Sequence, residues 1–337
     1  MIGKILILLL SLGLLLVGVF LFKNNLIILP QEPKSLPREH IVINDAQYPS
    51  FSLIYIANKE GFFKDQNLDV TIQSYVTGKD ALAAVIRGNG DLATVYETPF
   101  VRQVYQGADI RAISSLHKSA TSTALFTLQS KNIRTVSDLK NKRIGLIKGT
   151  NAEFFLYTLL TSNGLSNSDV TLLNLNPSEQ SKAFENNTID ALITFNPLLY
   201  QLKNKFKDEG KVIDSDLYTE NSLLVGTTHT INSRKDVMKR IIIALDRAQQ
   251  FSKQNRRTSI EDVHSSIQNA SLNDIQGVWD DYKLTLQLDN VLLSLMNREG
   301  QWLKIINAYP TRDLPNFRDS IDTEFLQDVN PDYVTLY

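Results

Sequence analysis

Six short segments hold the residues in this 337-residue chain whose types could grip a small solute: AQYPS (46–50), YVTGKD (75–80), YETP (96–99), KGTNAE (148–153), NPSEQ (176–180) and FNP (195–197). Thr77, Gly78 and Lys79 could cradle an anion with backbone amides, since glycine permits close approach, although Gly78 could equally serve the turn alone. Thr150 and Asn151 could touch a ligand, yet Thr150 would also do as a plain helix N-cap. Tyr48, Tyr96 and Phe195 stand where aromatics flank a solute, with core packing the competing role, above all for Phe195. Glu97 and Asn196 occupy matching places in two copies of one phrase, GNGDLATVYETP (88–99) and NTIDALITFNP (187–197). A carboxylate at Glu97 disfavours a bare anion unless a cation offsets it, which points to an amine-bearing or zwitterionic ligand.

Catalytic constellations are missing from these segments. There is no Walker-type phosphate loop, no G-x-S-x-G, no HExxH and no G-x-G-x-x-G after the first strand. With no cysteine, disulfides, thiolate metal sites and a cysteine nucleophile are all excluded. His40, His117, His229 and His264 are far apart and lack metal-ligand spacing, so each is assigned a structural or solvated role. Lysine and arginine number 35 against 36 acidic residues, a net charge of -1 that gives no electrostatic footprint for nucleic acid. The expected activity is binding, without enzyme chemistry, cofactor or metal.

The elements that must position these segments repeat. Asp91 and Asp190, which lead the two copies, stand 99 positions apart. Before Asp91 run a strand (41–46), a helix (51–63) ending around Gly61, an alternating strand (68–75) and a helix (77–88) opened by Thr77 and Asp80 at capping-box-like spacing; the strand 91–96 follows. About a hundred residues on, the order returns: strand 143–149, helix 150–164 with Thr150 and Glu153 as a capping box, strand 169–176, helix 177–187, strand 190–195. Both halves read β-α-β-α-β, which calls for parallel sheets. Two similar lobes are expected, the alternative being a single doubly wound domain whose βα units look alike. Apolar strands at 124–130 and 222–234 are the expected hinge crossings. Helix-period segments follow at 235–254, 258–269, 271–281 and 289–308, with 283–289 extended. Ligands in open parallel sheets lie beyond the carboxyl ends of the strands, so facing lobes would bring all six segments to one cleft. The expected division is 41–124 with 223–337 as a discontinuous lobe I, and 125–222 as lobe II.

Residues 5–22, ILILLLSLGLLLVGVFLF, form an uncharged run between Lys4 and Lys23. As a helix it would span about 27 Å, close to bilayer thickness. Its bulky end favours an uncleaved anchor over a cleaved signal peptide for residues 1–22. Residues 23–40, with Pro30, Pro33 and Pro37, read as a tether reaching roughly 55 Å.

The stretch YIANKEGFFKDQNLDVTIQSYVTGKDALAAVIRGNGDLATVYETPF resembles the first lobe of the nitrate/sulfonate/taurine substrate-binding proteins of ABC transporters, relatives of the thiamine-pyrimidine-precursor binders. VSDLKNKRIGLIKGTNAEFF, with GLSNSDV downstream, is similar to their second lobe, and IDALITFNP stands where a W-E-P triplet is usual. The resemblance implies an α/β, type II periplasmic-binding-protein fold: two doubly wound lobes with a hinge, here preceded by one N-terminal transmembrane helix. It implies that Gln47, Tyr48, the Gly78 loop, Thr98, Gly149, Thr150, Asn151 and Asn196 line the cleft. Phe195 and Asn196 depart from the usual triplet, so the ligand does not transfer with the fold. The implied role is a membrane-tethered, extracytoplasmic monomer that captures a small polar, anionic or zwitterionic organic solute by lobe closure. It would deliver that solute to an ABC permease and its ATPase; a ligand-sensing module signalling through a membrane partner is the alternative.

Overall fold

The computed structural model describes residues 37–213 and 216–336. The expected span at 1–22 and residues 23–36 of the tether lie outside the described residues, while Glu39 and His40, expected at the tether's end, already belong to the first strand; among the described residues no helix is long and apolar enough to cross a membrane.

Strand β1 (Glu39–Asp45) leads through α1 (Ser52–Lys59) and α2 (Phe62–Asp65) to β2 (Leu68–Ser74), then through α3 (Gly78–Ile86) to β3 (Leu92–Tyr96). The helix expected at 51–63 is two helices because Gly61 between them takes the left-handed backbone conformation, φ 76°. Helix α4 (Glu97–Tyr105) and strand β4 (Ile110–Ser119) come next, and then the chain enters a second sheet with β5 (Thr123–Leu128). There the pattern recurs: β6 (Arg143–Leu146), α5 (Asn151–Thr161), β7 (Thr171–Asn174), α6 (Pro177–Glu185), β8 (Ala191–Phe195), α7 (Leu198–Phe206) and β9 (Gly210–Ile213). Strand β10 (Glu220–Thr227) returns to the first sheet, followed by α8 (Thr228–Ser233), α9 (Lys235–Gln254), α10 (Arg256–Ser266) and α11 (Leu272–Val278). The short strands β11 (Lys283–Leu284) and β12 (Leu288–Asp289), α12 (Asn290–Ile305), α13 (Glu324–Val329) and β13 (Val334–Thr335) complete the chain.

The first sheet runs β11-β4-β10-β3-β1-β2 and the second β7-β6-β8-β5-β9. In each, three parallel strands (β2, β1, β3; β7, β6, β8) are joined on one side by antiparallel neighbours. The two copies of the repeated phrase thus lie in separate sheets, not side by side in one. Strands β3 and β8 are buried along their whole length, as central strands covered on both faces must be, which is why they are near-continuous apolar runs. Helix α9 packs against α1 and α13, and α12 against α4, so the C-terminal helices cover the first sheet.

The aspartate that opens each copy has the same physical task. The backbone N–H of Asp91 donates to Val42 O at 2.9 Å, and its carboxylate accepts from Val42 N at 2.8 Å. Asp190 N donates to Arg143 O at 2.8 Å, and its carboxylate accepts from Arg143 N at 2.9 Å. Each aspartate therefore clamps the start of the third strand to the first strand beside it. A guanidinium completes each clamp: Arg234 reaches Asp91 at 3.0 Å, and Arg143 reaches Asp190 at 3.0 Å.

Four elements depart from the periodicity. Helix α4 begins directly after β3 and α7 two residues after β8, β4 fills 110–119, and the apolar run 222–234 splits into β10 and α8. The break in that run is a cap: Thr227 accepts from Thr230 N at 3.1 Å and starts the helix.

Replacing Asp190 with Asn keeps its shape but removes the ion pair with Arg143 and weakens the clamp. Loss of about 1–3 kcal/mol is expected at neutral pH in urea unfolding. The hydrogen bonds from Arg143 hold the Asp190 carboxyl well below its usual range, so the clamp is fully present above the ordinary carboxylate pKa and fades as acid protonates it. The gap between wild type and Asp190→Asn should accordingly close at low pH. Asp69→Asn, which removes only an exposed partner of Arg38 at 3.4 Å, should cost under about 0.5 kcal/mol.

Candidate functional site

The carboxyl ends of β1, β3, β6 and β8 all open toward one place between the sheets. Asp45, at the end of β1, sets the first loop: it is buried and accepts from Thr94 Oγ1 at 2.5 Å, from Gln47 N at 2.6 Å and from Tyr55. Burial raises its pKa, while these three donors pull the other way. The turn puts Gln47 in the left-handed region, φ 57°, and projects Tyr48 inward. Helix α3 starts hard against β3: a Cβ on Gly78 would come within 3.1 Å of Thr94 O and Val95 Cα, so a side chain there would need the strand backbone to give by a few tenths of an ångström. Thr77 caps the helix by accepting from Asp80 N at 3.1 Å.

On the facing side the capping box expected of Thr150 and Glu153 does not form. The Thr150 hydroxyl donates to Ile147 O at 2.7 Å, and no side chain caps the first turn of α5. Glu153 instead accepts from Gly149 N at 2.8 Å and from Arg102 of α4 at 2.8 Å, tying α5 to α4 across from the second sheet to the first. Arg102 in turn lies 4.9 Å from the Trp302 ring centroid. Gly149 has φ 81°, a conformation favouring glycine, and faces the Lys79 side chain. The Lys79 ammonium donates to Lys148 O at 3.2 Å.

These loops enclose an inner cavity of about 20 Å3 lined by Tyr48, Thr77, Gly78, Lys79, Thr150, Asn151 and Phe195 among the expected residues, with Tyr96, Pro99 and Ile147 besides. Its lining holds one cation, Lys79, and no carboxylate. Tyr48 and Phe195 meet edge to face, centroids 5.2 Å apart, and both also line an outer groove of about 1040 Å3.

The remaining expected residues stand around this centre. Gln47 donates to Ser74 Oγ at 2.6 Å. Asn196 donates to Asp281 at 2.7 Å, a bond between β8's end and the C-terminal region. Glu97 is fully buried, accepting from Tyr218 and, at 2.8 Å, from Asn221 N; Thr98 donates to buried Glu299. The carboxylate that pointed to an amine-bearing ligand is therefore engaged within the protein.

Glu220 is the residue the local pattern does not reveal. Buried at the head of β10, it accepts from Ser122, from Thr123 at 2.5 Å and from Asn151 Nδ2 at 2.9 Å. It thereby orients the first residue of α5 from across the crossing strands. Its one signal in sequence is an acidic residue opening the apolar run ENSLLVGT, ambiguous without long-range contacts. His117, buried beside it, has Nδ1 2.6 Å from Ser222 Oγ and packs between Tyr96 and Tyr282.

Burial raises the pKa of Glu97 to about 8, with the Glu220 charge adding to it, and Glu299 is pushed well up by burial and by the Glu97 charge. A carboxyl whose pKa is higher folded than unfolded favours folding at low pH, and that advantage is lost as pH rises. The window runs from about 4.5, the ordinary value, to about 8. Glu97→Gln removes the titration, so its melting temperature should fall less than wild type's across that window; an unchanged slope would show that Glu97 is not the source.

Comparison with known proteins agrees with this architecture. A Bacillus subtilis (strain 168) protein named for aliphatic sulfonate binding is 26% identical over 237 residues, covering 68% of this chain and 70% of that one. Two solved structures share the fold: the alkanesulfonate-binding protein SsuA from Xanthomonas axonopodis pv. citri bound to MOPS (TM-score 0.72, 18% identity, 85% of this chain and 99% of that one), and the periplasmic aliphatic sulphonate binding protein SsuA from Escherichia coli (TM-score 0.74, 16% identity, 86% and 93%). Residues 48–258 match the family described as NMT1/THI5 like, and this stretch takes in the inner cavity and both crossings between the sheets. The chain belongs to the NMT1/THI5-like family and has the α/β fold of the periplasmic binding proteins.

Proposed function

We propose that this protein is an extracytoplasmic solute-binding protein of an ABC importer and that its ligand is a small organic anion. The observation that carries this reading is the pair of helix N-termini, α3 from one sheet and α5 from the other, that line one cavity with Lys79 and no carboxylate. Each N-terminus offers inward amides and about half a positive charge. An acidic group placed between them is attracted from both sides, and a cationic one is repelled. The names of the relatives, given for sulfonates, fit that polarity.

Binding works by closure. The inner cavity holds about one water molecule's worth of space, so a sulfonate or carboxylate enters only when the two bodies part. Parting separates Tyr48 from Phe195 and Lys79 from Lys148 O; the ligand then supplies contacts to both sides and shifts the population back toward closure. Lobe I, in this reading, is 41–124 with 223–337 and lobe II is 125–222, hinged where the chain crosses between the sheets. Residues 1–22 anchor the protein, 23–38 tether it, and a permease with its ATPase reads the closed form. The protein binds and releases its solute without turning it over.

Full-length chain stripped of carried-over solute should melt higher with alkanesulfonates. The expected gain is about 2.7 kcal/mol at a hundred-fold excess over Kd. Lys79→Gln should weaken that binding about ten-fold while leaving the ligand-free melting temperature unchanged. Absence of a shift with every organic anion tried, across sulfonates, carboxylates and phosphonates, would refute the reading.

A further inference from the structure

The outer groove is much larger than an anionic headgroup requires, and it adjoins the inner cavity across a shared wall of Tyr48, Ile147 and Phe195, which line both. Its volume, about 1040 Å3, is at the top of the range for sites that enclose whole organic ligands. Its lining holds no cationic side chain and one carboxylate, Asp80, which accepts from Thr77 Oγ1 at 2.6 Å. Apolar surface comes from both bodies: Tyr75 and Val76 on one, Pro177, Pro197 and Leu198 on the other. Val76, on the loop between strand and helix, is 67% exposed.

One residue in this wall is unmatched. Gln180 of α6 is 1% exposed; its Oε1 accepts from Thr194 Oγ1 at 2.8 Å, and its buried Nε2 has no hydrogen-bond partner. A buried amide left half-satisfied costs the fold free energy. Turning the amide over would only exchange which end is left over. A ligand atom in the groove is the natural partner.

We propose that the groove is the second half of the ligand site. It seats an uncharged tail that bears a carbonyl or hydroxyl oxygen, continuous with the anionic group held in the inner cavity, and Gln180 Nε2 donates to that oxygen. This rests on the anion-binding reading above and deepens it. The solute is then an extended organic anion with an acidic head and a neutral, oxygen-bearing tail. The Tyr48–Phe195 pair marks the junction, where the chain of the ligand passes from cavity to groove.

The test is calorimetric titration of the full-length chain with propanesulfonate, heptanesulfonate and N-butanoyltaurine, whose chain matches heptanesulfonate in length but contains an amide carbonyl. Each methylene seated in the groove should tighten binding about three-fold, so heptanesulfonate should bind well above propanesulfonate. Gln180→Met should weaken N-butanoyltaurine about five-fold and leave heptanesulfonate within about two-fold; because Thr194 Oγ1 loses its acceptor the ligand-free melting temperature falls, so the affinities are compared well below the transition. Val76→Asp, at an exposed rim position, should weaken heptanesulfonate and spare propanesulfonate. Equal affinity for all three sulfonates would leave the inner anion site standing and overturn the groove. Equal loss for both long ligands in Gln180→Met would remove Gln180 from the proposal and overturn it as stated. Failure of every sulfonate to bind would overturn both readings.

Discussion

Everything about the site depends on the clamp that Asp91 and Asp190 make across neighbouring strands. A carboxylate and a backbone N–H on one residue grip the N–H and C=O of a single residue in the adjacent strand, Val42 in one sheet and Arg143 in the other. Parallel strands have no short turn to set their register, so a side-chain bond at the start of the third strand does that work. With the starts aligned, the carboxyl ends of β1, β3, β6 and β8 finish level. The loops that leave them then reach a common place. The repeated phrase is the sequence record of one mechanical requirement met twice.

A second constraint acts where the bodies meet. Glu97, Glu299 and Glu220 are all buried near the crossing strands, where an isolated charge would be expensive. The fold answers in two ways. Glu220 is surrounded by hydroxyl and amide donors from Ser122, Thr123 and Asn151, whereas Glu97 and Glu299 are held toward their neutral forms. Glu220 is the more consequential for binding, because through Asn151 it ties the first turn of α5 to β10. The ion pair of Arg102 with Glu153 does similar work at the other edge and bonds the Gly149 loop as well. The surroundings of the cavity are thus held by polar contacts between elements of the two sheets together with an apolar core that spans both, in which Phe154 packs on Trp302 and Phe195 on Tyr48.

Much of this was legible in order along the chain. The β-α-β-α-β order of each half follows from period-two and period-3.6 patterns, and the resemblance to solute-binding families rests on the same stretches. What escaped was local ambiguity or distance. Helices α4 and α7 start in ETPF and NPLL, within two residues of buried strands, where a proline reads as a turn as easily as a first helical residue. Thr150 and Glu153 have capping-box spacing, yet a backbone carbonyl takes the threonine hydroxyl and an arginine 51 residues away takes the glutamate. Glu97 looked like a ligand contact because it mirrors Asn196, but its partners, Tyr218 and Asn221, come from over a hundred residues later. Glu220 and Gln180 are invisible to periodicity, since what distinguishes them is which polar atoms they meet after folding.

The central claim is that an anion sits between the first turns of two helices belonging to different sheets. Backbone amide shifts report that contact atom by atom. In a titration of isotopically labelled full-length chain with ethanesulfonate, the amides of Gly78, Lys79, Asn151 and Ala152 should move together, downfield and saturably, with one common Kd. Saturable binding that moves the amides of only one helix, or that moves none of the four, would contradict the account.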